Sequence, residues 1–152
     1  MAGDVELDVL RLSVSEEFTM LARIGIAAAG GALIGFERRR SGKSAGMRTL
    51  MLVSMGAALF TLVSLFGFEG HDTSRVAAQV VTGVGFLGAG TILHRQGLVK
   101  GLTTAASIWV AAAVGVAART GLYIVALGTA ILSVVVMLLW PHDIGETNDD
   151  DE

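Results

Sequence analysis

Residues 76–93, VAAQVVTGVGFLGAGTIL, admit two readings, and the choice between them decides the fold. Gly83-Val84-Gly85-Phe86-Leu87-Gly88 spells the G-x-G-x-x-G of a dinucleotide-binding turn. Such a turn follows a strand, opens a helix, and places an acid about 20 residues on to hold a ribose hydroxyl. Here no charge occurs from 76 to 93, and no Asp or Glu between Asp72 and Asp143. The nucleotide reading fails, and the glycines belong to an uncharged apolar run about as long as a helix needs to cross a bilayer of about 30 Å.

The rest of the chain agrees. Of 152 residues 53% are hydrophobic and 16% charged, and the mean hydropathy of +0.66 exceeds what one water-soluble core requires. Five apolar runs stand out, at 18–36, 47–68, 76–93, 102–118 and 122–140. The expected architecture is an all-α transmembrane helix bundle of about five spans. Residues 1–17 read as an acidic N-terminal segment, 18–140 as the bundle and 141–152 as an acidic, disordered tail. The N-terminus lacks the basic region of a cleavable signal, so the first span is expected to be retained. The absence of cysteine excludes disulfides and thiolate metal sites.

Lys and Arg in short loops set orientation. The first and third loops carry Arg38, Arg39, Arg40, Lys43, Arg48, Arg95 and Lys100; the opposite side carries only Arg11, Arg75 and Arg119. The N-terminus is therefore expected outside and the C-terminus inside.

Membrane helices associate at small residues, because lipid tails are as apolar as leucine. On a helical wheel Gly83 and Gly90 share one face of the third span, and Gly85 and Gly88 lie near the opposite face. That predicts neighbours on two sides and a central place for this helix, with Gln79 in the groove of Gly83. A helix broken between Thr82 and Gly90 is the rival reading. Gly31 and Gly35 form a small-xxx-small pair in the first span. Thr104, Ser107, Ala111 and Gly115 make a small, polar stripe on the fourth.

Ionisable residues in spans are costly and by default face the bundle. Arg23 and Glu37 are 14 residues apart, about 21 Å along a helix, and cannot pair. Arg23 lies near the outer boundary, where snorkelling is the simpler reading. Glu37 closes the first helix and Arg48 opens the second, each at the end its helix dipole disfavours. A mutual pair resolves both conflicts, with Lys100 as a competitor for Glu37. Thr103 and Thr104 are expected to cap the fourth helix, and Asp72, three before Arg75, to cap the third. Trp109 falls mid-span and should find an indole partner within the bundle.

The blocks GALIGFERR, AGMRTLMLVSMGAALF, RVAAQVVTGVGFLGAGTIL and VKGLTTAASIWVAAAVGVA closely resemble the MgtC/SapB family of bacterial inner-membrane proteins, over about residues 21–140. The family pattern includes Arg23, Glu37, Gly46, Arg48, Asp72, Arg75, Gln79, the Gly83–Gly90 run, Gly101, Thr103, Thr104 and Trp109. Membership implies a plasma-membrane location, an association with magnesium limitation and, in pathogens, with virulence. For some members it also implies regulation of other membrane machines such as ATP synthase or a transporter. Larger members add a soluble cytoplasmic domain after the last span; this chain is expected to be a short form with an acidic tail in its place.

No histidine is placed to activate a serine or threonine, so an enzyme is not expected. Neither cofactor, bound metal nor nucleic-acid partner is expected; the lipid bilayer and further copies of the chain are. Two functions stay open. One is a non-enzymatic regulator that docks through its glycine faces. The other is a homo-oligomeric transporter or channel for Mg²⁺ or another ion, using Glu37, Arg48, Gln79 and Thr82. Mg²⁺ is usually held by one or two carboxylates plus waters, and Glu37 is the acid that borders a span, so this path needs a ring of Glu37 from several copies.

Overall fold

A computed structural model describes residues 13–66, 74–95 and 98–140. They form an all-α bundle of five helices: α1 (Val14–Arg40), α2 (Met47–Phe66), α3 (Ser74–Ala89), α4 (Leu102–Arg119) and α5 (Tyr123–Leu139). A short antiparallel hairpin, β1 (Leu93–Arg95) and β2 (Leu98–Lys100), joins α3 to α4 and pairs His94 with Val99.

α1 begins four residues before the apolar run. Ser13 and Glu16 form a reciprocal capping box, and Glu16 and Glu17 complement the helix dipole, so the acidic residues start the helix. At the other end of the third run the helix stops early. Gly90 and Thr91 turn the chain, and Ile92 and Leu93, expected within the span, lead into the hairpin. α3 is continuous up to that point, which removes the broken-helix reading. Gly101 ends the hairpin at φ +92°, and a Cβ there would collide with the Thr91 carbonyl; only glycine fits both constraints.

The interior is built from small residues. Ala27, Ala57, Ala58, Ala111, Ala118, Ala126 and Ala130 are buried, joined by Ile34, Leu50 and Val114. The polar groups among them are held locally or across helices. The Ser54 hydroxyl donates to the Ala27 carbonyl (2.7 Å), linking α2 to α1, while Thr61 and Ser107 donate to carbonyls one turn back. Large apolar side chains point outward, among them Phe18, Leu52, Phe60, Phe86, Ile124 and Leu132. Such a surface is unsuited to water and suited to lipid.

α1, α2 and α4 are long and apolar enough to cross a membrane, whereas α3 and α5, at 16 and 17 residues, are shorter. The middle position belongs to α4, which packs against α1, α2, α3 and α5, while α3 packs mainly against α2 and α4. The expectation that α3 is central is therefore wrong. α4 carries a buried strip from Thr104 to Ala118 wide enough to serve several neighbours, and α3 does not.

Candidate functional site

Glu37 is buried at the α1–α2 end of the bundle, 5% exposed, and the expected pair with Arg48 does not form. Its carboxylate accepts from the neighbouring Arg38 through Nε (2.7 Å) and Nη2 (3.1 Å), and from the Ser41 hydroxyl (2.7 Å). Arg38 is equally buried. Successive helical residues do not face each other, but the long guanidinium reaches back, and Ser41, four residues on, lies on the Glu37 face. Sequence reasoning missed both partners; the i+4 hydroxyl was the available signal.

Arg48 is exposed instead. With Arg39, Gly46, Met47 and Thr49 it lines a polar concavity of about 400 Å³ beside the start of α2. The first bond of that helix runs from the Leu50 N–H to the Gly46 carbonyl (3.1 Å), and Gly46 has no side chain to cap the preceding N–H groups.

Gln79 lies elsewhere, as the polar member of an otherwise apolar groove of about 610 Å³ between α2 and α3, with Leu52, Gly56, Phe60, Gly83 and Leu87. The expected polar cluster is therefore divided between two cavities and a buried pair. Lys100 is exposed on β2. Thr103 and Thr104 do not cap α4: Gly101 occupies the cap position without a side-chain bond, and Thr104 turns into the core.

At the opposite end Arg23 turns inward instead of snorkelling. Its Nη1 donates to the Arg119 carbonyl at the end of α4 (3.2 Å), and its buried Nε has no partner among the described residues. Arg119, counted from sequence among the loop charges, is only 2% exposed. Arg75 is exposed in the first turn of α3; Asp72 lies outside the described residues. Thr82 donates to the Ala78 carbonyl one turn back (3.3 Å). Trp109 faces outward, 52% exposed, so its indole does not seek a partner in the bundle; α4 turns its small residues inward and its ring to the periphery.

The glycines divide into two groups. A Cβ at Gly31 would collide with the Leu50 carbonyl, and one at Gly35 with the Met47 main chain, so α1 and α2 touch through their backbones. Gly88 of α3 backs onto Ala105 of α4, and Gly90 lies in the turn after α3. Gly83 and Gly85 meet nothing within 4 Å. Among the described residues no group of three or more His, Asp or Glu stands close enough to hold a metal ion.

The profile of the MgtC family matches residues 24–142. The chain belongs to the MgtC family. It is 46% identical over 125 residues to the Escherichia coli (strain K12) protein named "Putative magnesium transporter YhiD", covering 77% of this chain and 58% of that one. It is 46% identical over 112 residues to Protein MgtC of Brucella abortus (strain 2308), covering 73% and 47%. Protein SrpB of Synechococcus elongatus is 41% identical over 132 residues, covering 77% and 72%. The chain spans about half the length of the first two relatives. No solved structure matches. Family membership and three span-capable helices make this a membrane protein.

Proposed function

We propose that this MgtC-family chain is a non-enzymatic, multi-pass protein of the bacterial inner membrane, with its N-terminus outside and its C-terminus inside. It acts in magnesium homeostasis by docking onto another membrane complex. The supporting observation is the outer face of α3. Ala78, Thr82, Gly85 and Ala89 recur at i, i+4, i+7 and i+11, all exposed, and a Cβ on Gly85 meets nothing. Small residues on a lipid-facing helix permit the close approach through which membrane helices associate. α3 is also short, about 24 Å at 1.5 Å per residue against a hydrocarbon core of about 30 Å, and a short span is relieved by association.

The second reading, an ion pathway, draws on the name of the Escherichia coli relative. Against it stands Glu37, whose carboxylate is already bonded to Arg38 and Ser41, with Arg48 and Gln79 in separate cavities. One experiment separates the two. Wild-type chain in liposomes should carry no Mg²⁺ flux, yet should support growth of a deletion strain in low magnesium, and Gly85→Leu should abolish that growth at unchanged expression. Mg²⁺ flux that Glu37→Gln abolishes would replace the docking reading with the transport reading.

A further inference from the structure

The two cavities share α2, the polar one at its first turn and the apolar one from Leu52 onward. Arg48, Leu52, Gly56 and Phe60 are spaced by four, so each lies one turn from the next on a stripe that winds about 120° around the helix, from Arg48 in the polar concavity to Leu52, Gly56 and Phe60 in the apolar groove. From Arg48 to Phe60 the stripe runs 12 residues, about 18 Å, close to the about 15 Å depth of one leaflet of the hydrocarbon core. At about 610 Å³ the groove falls within the about 300–1,000 Å³ in which proteins hold one small molecule.

We propose that the concavity and the groove together bind one anionic phospholipid, its phosphate at Arg39 and Arg48 and an acyl chain along Leu52, Gly56, Phe60 and Gly83. Charge decides the headgroup. The facing ends of α1 and α2 and the connection between them hold Arg39, Arg40, Lys43 and Arg48, while Glu37, near the end of α1, is bonded to Arg38 and Ser41. A phosphate here meets two guanidinium groups whose geometry suits its oxygens. Juxtamembrane cations favour anionic lipid. Shape decides the tail: Gly56 and Gly83 leave open space along the groove, and Gln79 is the polar group along it. A second copy of the chain fits worse. Two copies with the same orientation in the membrane are related by an axis along its normal, so Arg48 would meet its own counterpart at the same depth. This site is distinct from the Gly85 face of α3 and does not depend on the docking reading.

The test is native mass spectrometry of the purified full chain in detergent, with added phosphatidylglycerol or phosphatidylcholine of identical acyl chains. One retained phosphatidylglycerol per chain is expected, at least tenfold preferred over phosphatidylcholine. Arg39→Ala with Arg48→Ala should remove the preference. Gly56→Leu or Gly83→Leu should reduce retention of both lipids, whereas Gly85→Leu, on the other face, should leave it unchanged. Equal retention of the two lipids by the wild-type chain would overturn the proposal without any variant. So would a groove occupied by a second copy, seen as a dimer that Gly56→Leu dissociates and added lipid leaves intact.

Discussion

The Arg23 guanidinium crosses from α1 to the main-chain carbonyl of Arg119, 3.2 Å away, at the C-terminal end of α4. The last carbonyls of a helix lack intrahelical donors and carry the negative end of its dipole, so a cation there completes the helix. The same geometry brings two arginines together at one end of the bundle. Arg23→Ala is expected to lower stability by about 1–2 kcal/mol, the scale of one charge-assisted bond with its packing. Arg23→Met should recover part of that, because it keeps the apolar stem that Ala lacks, while both remove the charge near Arg119. Thermal unfolding in detergent reads both, and an unchanged Tm for Arg23→Ala would show that the bond carries no weight.

The buried Glu37–Arg38 pair yields a sharper expectation. Breaking such a pair leaves one charge uncompensated in a poorly hydrated place. Glu37→Gln keeps the shape but removes the charge opposing Arg38, and should destabilise the chain by about 1–3 kcal/mol, less than a deep-core pair because it lies at one end of the bundle. Glu37→Gln combined with Arg38→Met should be less destabilised than Glu37→Gln alone. A double-mutant cycle measures the coupling, and additivity would mean that the two charges act independently.

Much of this architecture is legible in the sequence, and the failures have physical causes. The apolar runs locate all five helices, since each exceeds what a single water-soluble helix face needs. The ends are harder. Ile92 and Leu93 are as apolar as the residues before them, and the stop comes from Gly90 and the hairpin, which hydropathy does not register. The buried ion pair was misassigned because helix-end electrostatics pointed Glu37 toward Arg48, whereas the adjacent Arg38 reaches it without any tertiary constraint. Arg119 was counted as a loop charge by its place between two runs, and its burial follows only from α4 being the middle helix.

Gly101 joins the hairpin to α4 at φ +92°, with the Thr91 carbonyl where a Cβ would stand. Gly101→Ala therefore suffers a backbone penalty and a collision together, and is expected to cost more than about 1 kcal/mol. Hydrogen exchange should localise the loss to the hairpin and the first turn of α4. An unperturbed exchange pattern would indicate that the junction relaxes without cost.

The glycines provide a comparison within one protein. Gly31 and Gly115 back onto the carbonyls of Leu50 and Ser54, so Gly31→Val and Gly115→Val must push α1 or α4 away from α2. Overpacking of this kind costs about 1–3 kcal/mol, and here backbone rather than a flexible side chain must move, which places both at the upper end. Gly85 meets nothing, and replacing a helical glycine removes a penalty of about 1 kcal/mol, so Gly85→Ala should leave stability unchanged or raised. Docking demands the opposite order. Gly85→Leu should preserve the fold and abolish growth support in low magnesium, whereas Gly31→Val should lose that support only in proportion to the folded protein remaining. Measuring Tm and growth on the same variants separates the two roles, and a Gly85→Leu chain that folds and still supports growth would remove the α3 face from the mechanism.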